Sequence, residues 1–263
     1  MSQTDKMLAR KEGGVGILTF NNPERHNAVS LEMWDATKRI LDDFAADNDV
    51  RVVVLTGAGG KAFVSGADIS KFASERATVE AQRAYNAKSD AAYSSVADFS
   101  KPTIAMIMGY CMGGGLGLAT CCDLRFCSDN SRFAVPAAKL GVGYGHKGLK
   151  RLVDIVGPAF AKEIFYTARQ FDANEALAMG LVNRVVSADQ LESYVKSITD
   201  MICANAPLTI KAVKFTVGEI LKDESTRNLA RSTELVERCF ASRDYTEGRT
   251  AFMEKRKPVF TGT

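Results

Sequence analysis

The chain has 263 residues, with 34 Lys+Arg against 31 Asp+Glu and a formal net charge of +3 at neutral pH. Hydrophobic residues at 46% and charged residues at 25% are ordinary for a globular protein, and the length suits one large domain or two small ones with an ample core. So balanced a charge gives no electrostatic reason to expect nucleic acid or an anionic membrane as partner, and there is no run of about 18 apolar residues to span a bilayer. The opening Met1-Ser2-Gln3-Thr4-Asp5-Lys6 lacks an apolar segment and carries an acid early, unlike a signal or transit peptide. Of the cysteines, Cys111, Cys121, Cys122 and Cys127 cluster among small or apolar neighbours, while Cys203 and Cys239 stand apart. With no C-x-x-C and only His26 and His146 as companions, neither a metal site nor a disulfide framework is expected. Buried, reduced thiols of a cytoplasmic protein are the simpler reading.

In chain order, Val15 to Phe20 reads as a strand closed by the turn Asn21-Asn22-Pro23. Ser30 suits a helix N-cap, and Leu31, Trp34, Leu41 and Phe44 then share one helical face up to Asp47-Asn48-Asp49. Val52-Val53-Val54-Leu55 is a β-branched run of the kind buried on both faces. Residues 76–100 read as one weakly amphipathic helix, stopped by Lys101-Pro102, and strands are predicted over 103–107, 124–127 and 181–186. Gly113 to Cys122, built almost wholly of small residues, predicts a helix packed very closely by its neighbours. Such alternation argues for parallel βαβ units with right-handed crossovers. Beyond Asp189 only helices are predicted, over 188–205, 207–222, 224–241 and 243–256.

Three glycine clusters follow strands or loops. Gly57-Ala58-Gly59-Gly60-Lys61-Ala62 mimics a dinucleotide-binding G-x-G-x-x-A, but a second glycine turn at Ser65-Gly66-Ala67-Asp68 follows where a helix should start, so nicotinamide chemistry is a remote reading. Gly113-Gly114-Gly115 opens a predicted helix although each glycine costs about 1 kcal/mol relative to alanine inside one. Either tight packing requires them, or bare N–H groups must approach a ligand oxygen at the positive end of the helix. The third, Gly141-Val142-Gly143-Tyr144-Gly145-His146-Lys147-Gly148, reads as a mobile loop carrying polar side chains.

Read together, Lys61-Ala62-Phe63-Val64-Ser65-Gly66-Ala67-Asp68-Ile69 and Gly109-Tyr110-Cys111-Met112-Gly113-Gly114-Gly115 resemble the paired signatures of the crotonase, or enoyl-CoA hydratase/isomerase, superfamily. The segments 21–28, 122–123, 172–182 and 251–258 add matches in order along nearly the whole chain. The resemblance implies an α/β fold, a spiral of ββα repeats over about residues 1–200 carrying a C-terminal helical layer, 201–263, that builds a homotrimer or a dimer of trimers. It implies an acyl-CoA thioester as substrate and, beyond the coenzyme A of that thioester, no cofactor or metal. By position, the Ala67 and Gly114 N–H groups become the oxyanion-hole donors. Arg25, Ala28, Ser65, Ala67, Asp68, Ile69, Gly113 and Gly114 become CoA- or substrate-binding residues, and Phe252 and Lys255 stand where some relatives reach a neighbouring subunit's CoA.

Hydratases of that family carry two glutamates where this chain has Gly117 and Ala137, and neither residue activates water or delivers a proton. The dehalogenase branch needs an aspartate that the loop around Tyr144 lacks. That loop compares better with methylmalonyl-CoA decarboxylases, although their histidine is replaced by Ala67. The sequence therefore supports an enzyme that stabilises a thioester enolate, a lyase or isomerase, with decarboxylation of a malonyl-type CoA using Tyr144 or His146 as one alternative. A catalytically silent CoA-ester binder is another. Tyr85, Asp90 and Tyr93 on the 76–100 helix also come within reach of substrate, and the spacing does not select among them.

Overall fold

A computed structural model describes residues 4–68, 71 and 77–263. Strands β1 (Met7–Glu12) and β2 (Val15–Phe20) pair antiparallel across Gly13, whose φ of +56° suits glycine. After helix α1 (Leu31–Ala46) the chain repeats one unit: a strand in a large sheet, a short strand in a second sheet, and a returning helix. The first turn is β3 (Val52–Gly57), β4 (Ala62–Val64) and α2 (Val79–Ala97). The second is β5 (Thr103–Ile107), β6 (Tyr110–Met112) and α3 (Gly114–Cys121). The third is β7 (Leu124–Ser128), β8 (Arg132–Ala134), α4 (Ala137–Leu140) and α5 (His146–Thr167). β9 (Phe171–Asp172), α6 (Ala173–Ala178) and β10 (Arg184–Val186) close the spiral, and α7 (Leu191–Ala204), α8 (Pro207–Ile220), α9 (Leu229–Phe240) and α10 (Arg243–Met253) follow.

The large sheet runs β1-β2-β3-β5-β7-β10 and is parallel from β2 onward; the second runs β4-β6-β8-β9, with only β9 antiparallel. This is the expected spiral of ββα repeats. The run 52–55 shows why β3 is apolar throughout: Val53 and Leu55 face the main core, while Val52 and Val54 pack with Ile104, Phe126, Leu191 and Val195 on the opposite side. Leu191 and Val195 belong to α7, so that helix is part of the spiral's packing, and a boundary drawn between 200 and 201 falls inside it. Arg125, buried on β7, ties the turn together by donating to the carbonyls of Leu181 (2.7 Å), Cys122 (2.7 Å) and Ala119 (3.4 Å), the last two at the end of α3.

Several expectations need correction. The strand predicted over 181–186 is confined to 184–186, with Leu181 and Val182 buried in the preceding turn. The segment 224–241 is a 3₁₀ turn at 224–226 followed by α9, whose N-cap Asn228 side chain accepts from Arg231. The α2 helix begins only at Val79, where the Thr78 side chain caps it. The loop expected through Gly148 ends three residues earlier, because His146 already opens α5.

Burial of the thiols holds for only four of the six. Cys111, Cys121, Cys122 and Cys127 are enclosed, and desolvation pushes Cys121 up to about 11 and Cys127 up to about 12, whereas Cys203 and Cys239 are partly exposed. A disulfide thiol reagent added to the native protein is expected to modify Cys203 and Cys239 alone, and the other four only after denaturant. Rapid reaction of all six without denaturant would contradict this packing.

Candidate active site

The second sheet delivers two backbone segments to one place. β4 ends at Val64, and the chain turns through Ser65 and Gly66, whose φ is +107°. Val29 then forms an isolated parallel bridge with Ala67: the Val29 N–H donates to the Gly66 carbonyl (2.8 Å), and the Asp68 N–H donates to the Val29 carbonyl (3.0 Å). That pattern uses the groups on either side of Ala67 and turns its own N–H to the opposite side. Among the described residues the Ala67 N–H meets no acceptor.

β6 feeds the glycine triplet, and each glycine has its own reason. Gly113, the N-cap of α3, has φ +52° and gives its N–H to the Ala134 carbonyl (2.8 Å). A Cβ on Gly115 would lie 2.0 Å from the Val64 carbonyl oxygen, so only glycine lets α3 press onto β4. Gly114 is the first residue of the helix, and its N–H is an orphan donor of the first turn with no acceptor among the described residues. A Cβ on Gly114 would lie 2.9 Å from the Tyr93 hydroxyl and 3.9 Å from the Ala67 nitrogen. Two unpartnered N–H groups, a helix N-terminus and a phenol therefore converge on one spot. Tight packing accounts for Gly115, while Gly114 leaves a bare N–H at the start of the helix.

A cleft of about 460 Å³ opens over this spot, floored by Gly66, Ala67, Gly113, Gly114 and Gly117 and walled by α2, α4 and the start of α5. Gly117 and Ala137 line it without a functional group, and Asp90 is its one carboxylate among the described residues. Tyr93 leans on Trp34 (ring centroids 5.0 Å apart, 60° between planes) and donates its hydroxyl to the Gly114 carbonyl at 3.1 Å. Burial, then the neighbouring Tyr144, Cys121, Tyr85 and Asp90, push its phenol well above the usual value. Tyr85 is almost fully enclosed, its oxygen accepting from the Trp34 indole N–H at 3.1 Å. The helix thus distinguishes the three residues that spacing left equal: Tyr85 braces Trp34, Asp90 is exposed on the cleft wall, and Tyr93 reaches the floor.

Tyr144 and His146 also line the cleft. The Tyr144 ring meets Phe165 edge-on at 4.8 Å, and His146 is exposed at the start of α5. Arg25, Ala28, Ser65 and Asp68 gather beside the Ala67 segment. The Arg25 guanidinium lies 3.3 Å from the buried Asp68 carboxylate, the Ser65 hydroxyl donates to the Arg25 carbonyl (3.3 Å), and the Ala28 N–H donates to the same oxygen (3.0 Å). Ile69 lies outside the described residues. Phe252 and Lys255, at the exposed end of α10, are not brought to the cleft of their own chain. Asn27, not singled out from sequence, is fully buried with φ +57° and holds this region together: its amide donates to the Ala58 (3.0 Å) and Ala62 (2.7 Å) carbonyls and its oxygen accepts from the Asn22 N–H (2.9 Å). Its position within Asn21-Asn22-Pro23-Glu24-Arg25-His26-Asn27 was the available signal.

Residues 10–263 match the family described as enoyl-CoA hydratase/isomerase. The chain is 35% identical over 255 residues to a short-chain-enoyl-CoA hydratase of Clostridium acetobutylicum, covering 97% of each. It is 36% identical over 266 residues to a carnitinyl-CoA dehydratase of Proteus mirabilis, covering 100% of each. Its fold superposes on a crystal structure described as an enoyl-CoA hydratase/carnithine racemase from Magnetospirillum magneticum with a TM-score of 0.94 and 38% identity, over 99% of this chain and 97% of that one. Fold, paired loop and glycine-triplet segments, and similarity along almost the full length agree: the chain belongs to the enoyl-CoA hydratase/isomerase family of the crotonase superfamily.

Proposed function

We propose that this protein binds an acyl-CoA thioester with its carbonyl oxygen between the Ala67 and Gly114 N–H groups and stabilises the enolate that forms there. The observation that carries the reading is the pair of neighbouring N–H groups at the floor of the cleft, left without acceptors among the described residues. Fixed dipoles at a helix N-terminus stabilise charge that develops on oxygen without having to reorient during the reaction. Arg25, Ala28, Ser65 and Asp68 lie where the CoA portion would run, and Ile69 is assigned with them by its place in the motif alone, with Gly113 shaping the helix start; Phe252 and Lys255 serve a neighbouring subunit's site.

The reaction we favour is one that needs no carboxylate base. Adding water to an enoyl-CoA requires a group to activate the water and another to supply a proton, and Gly117 and Ala137 offer neither. Loss of carbon dioxide from a malonyl-type CoA needs no base. The electron pair of the bond between carboxylate and α-carbon passes into the enolate, carbon dioxide leaves, and a proton then adds to the α-carbon. Tyr144 and His146 are within the cleft to serve that reaction or to shape its acyl pocket. The hydratase and dehydratase names of the relatives support the substrate class and make hydration the competing reaction.

Supplying methylmalonyl-CoA and crotonyl-CoA separately tests the choice. Release of carbon dioxide from the first with little hydration of the second is expected; rapid hydration of crotonyl-CoA would transfer the protein to the hydratases. Binding of both without turnover would make it a silent CoA-ester binder.

The C-terminal helical layer suits a homotrimer or a dimer of trimers, and the free cysteines suit a reducing compartment such as the cytoplasm. Val213, Val217 and Ile220 on α8 and Phe240 on α9 are exposed apolar side chains on neighbouring helices, as is Phe252 on α10, which is 82% exposed. Such a surface suits burial against another subunit.

A further inference from the structure

If the glutamate positions are empty of function, some other group must handle the proton of the enolate, and this inference rests on the reading of the cleft as an enolate-forming site. We infer that Tyr93 is a catalytic residue: its hydroxyl delivers the proton to the α-carbon of the bound acyl group.

The side chain that Gly114 lacks would point to within 2.9 Å of the Tyr93 hydroxyl, and the one that Gly117 lacks would meet that hydroxyl and the adjoining ring carbon at 3.7 Å. Tyr93 therefore occupies the space toward which a residue at 117 would project, and it holds its oxygen beside Gly114, whose added Cβ would also lie 3.9 Å from the Ala67 nitrogen. Its place is fixed from two sides, by the Trp34 ring and by the 3.1 Å hydrogen bond to the Gly114 carbonyl. A phenolic hydrogen rotates about the C–O bond, so it turns from that carbonyl to a carbon above the donors without moving the ring. The Tyr85 hydroxyl is engaged by Trp34, and the Tyr144 ring packs edge-on against Phe165, so of the three tyrosines Tyr93 is the one whose hydroxyl bonds the Gly114 backbone.

The chemistry balances. The enolate α-carbon supplies an electron pair, a C–H bond forms, the phenolic O–H bond breaks, and the resulting phenolate recovers a proton from water in the cleft. A thioester enolate is a far stronger base than a phenolate, so the transfer runs downhill. Burial keeps the phenol protonated, which suits a donor and leaves it a poor base for activating water. This division also explains how one side chain could serve where hydration calls for two.

The test uses Tyr93→Phe, which preserves the ring against Trp34, in deuterated water with methylmalonyl-CoA and crotonyl-CoA as probes. Either probe gives a product whose α-carbon records the face that received the deuteron. The wild-type protein is expected to place deuterium on one face. The variant is expected to lose about 10²–10⁴-fold in kcat with KM little changed, to melt at the same temperature, and to place deuterium on both faces. Turnover by the variant at the wild-type rate and on the same single face would overturn the role of Tyr93 while leaving the enolate reading intact. No product from wild-type protein with either probe would overturn the enolate reading and Tyr93 with it. A slower variant that keeps single-face delivery would assign Tyr93 a packing role and overturn the inference, and Tyr144→Phe would then be expected to scramble the faces.

Discussion

Gly114→Pro is expected to lower kcat by about 10²–10³-fold, the usual cost of deleting one oxyanion-hole donor. Gly114 is the first residue of α3, where proline's missing N–H breaks no helix hydrogen bond and its fixed φ suits the helix, so the fold should persist. The substitution also brings a ring toward the Tyr93 hydroxyl, which a Cβ at 114 approaches to 2.9 Å. Gly114→Ala separates the two effects, because it adds the same Cβ and keeps the N–H. The account requires the proline variant to be much the slower of the pair at similar thermal stability. Equal rates would remove the Gly114 N–H from the mechanism.

The second large effect is on stability and has opposite signs two residues apart. Gly115→Ala places a Cβ 2.0 Å from the Val64 carbonyl oxygen and 2.8 Å from the Val64 carbonyl carbon and Cβ, and a backbone oxygen does not rotate away. Helix α3 has to lift from β4, at a cost near the upper end of the roughly 1–3 kcal/mol typical of overpacking. The displaced helix carries the Gly114 N–H with it, so turnover falls too. Gly117→Ala lies on the same helix, but its Cβ finds its nearest neighbours at 3.7 Å, an ordinary contact. There alanine's helix propensity should gain up to about 1 kcal/mol. Chemical denaturation of the two variants checks both signs; a neutral Gly115→Ala would contradict the close helix–strand contact.

Sequence patterning revealed the long, strongly patterned parts of this fold and missed the short ones for identifiable reasons. The apolar run at 52–55, the α1 face and the glycine triplet each carried a signal longer than chance. β4, β6 and β8, the strands that build the site, have three residues each, too few for any periodicity to declare itself. β1 was invisible because it is an edge strand with only Met7 buried and a charged end, Arg10-Lys11-Glu12, that discourages pairing with other chains. α5 was hidden by the glycines at its start and by Gly157-Pro158, where φ +74° at Gly157 kinks it. Its first residue, His146, was consequently placed on a loop.

The site was legible in a different way. Ala67 and Gly114 came from a resemblance between motifs, and the structure supplies what motifs do not contain: two N–H groups without acceptors among the described residues. Tyr93 could not be singled out by spacing, since Tyr85, Asp90 and Tyr93 lie close together on one helix, α2. Only the tertiary approach of α2 to α3 puts the Tyr93 hydroxyl, and not that of Tyr85, against Gly114. Physically, a helix face is encoded locally, whereas which of its side chains meets a backbone donor depends on the packing of the next repeat of the spiral.

The most direct test of the central claim is the vibrational spectrum of the bound thioester carbonyl. Infrared difference spectra with an acyl-CoA carrying carbon-13 at the carbonyl, taken with the wild-type protein and with Gly114→Pro, isolate that one bond. Two N–H donors drawing on the oxygen should shift its stretching band to lower frequency than in water, and the shift should shrink in the proline variant. A band that stays at its solution frequency in the wild-type complex would contradict an oxyanion hole formed by Ala67 and Gly114.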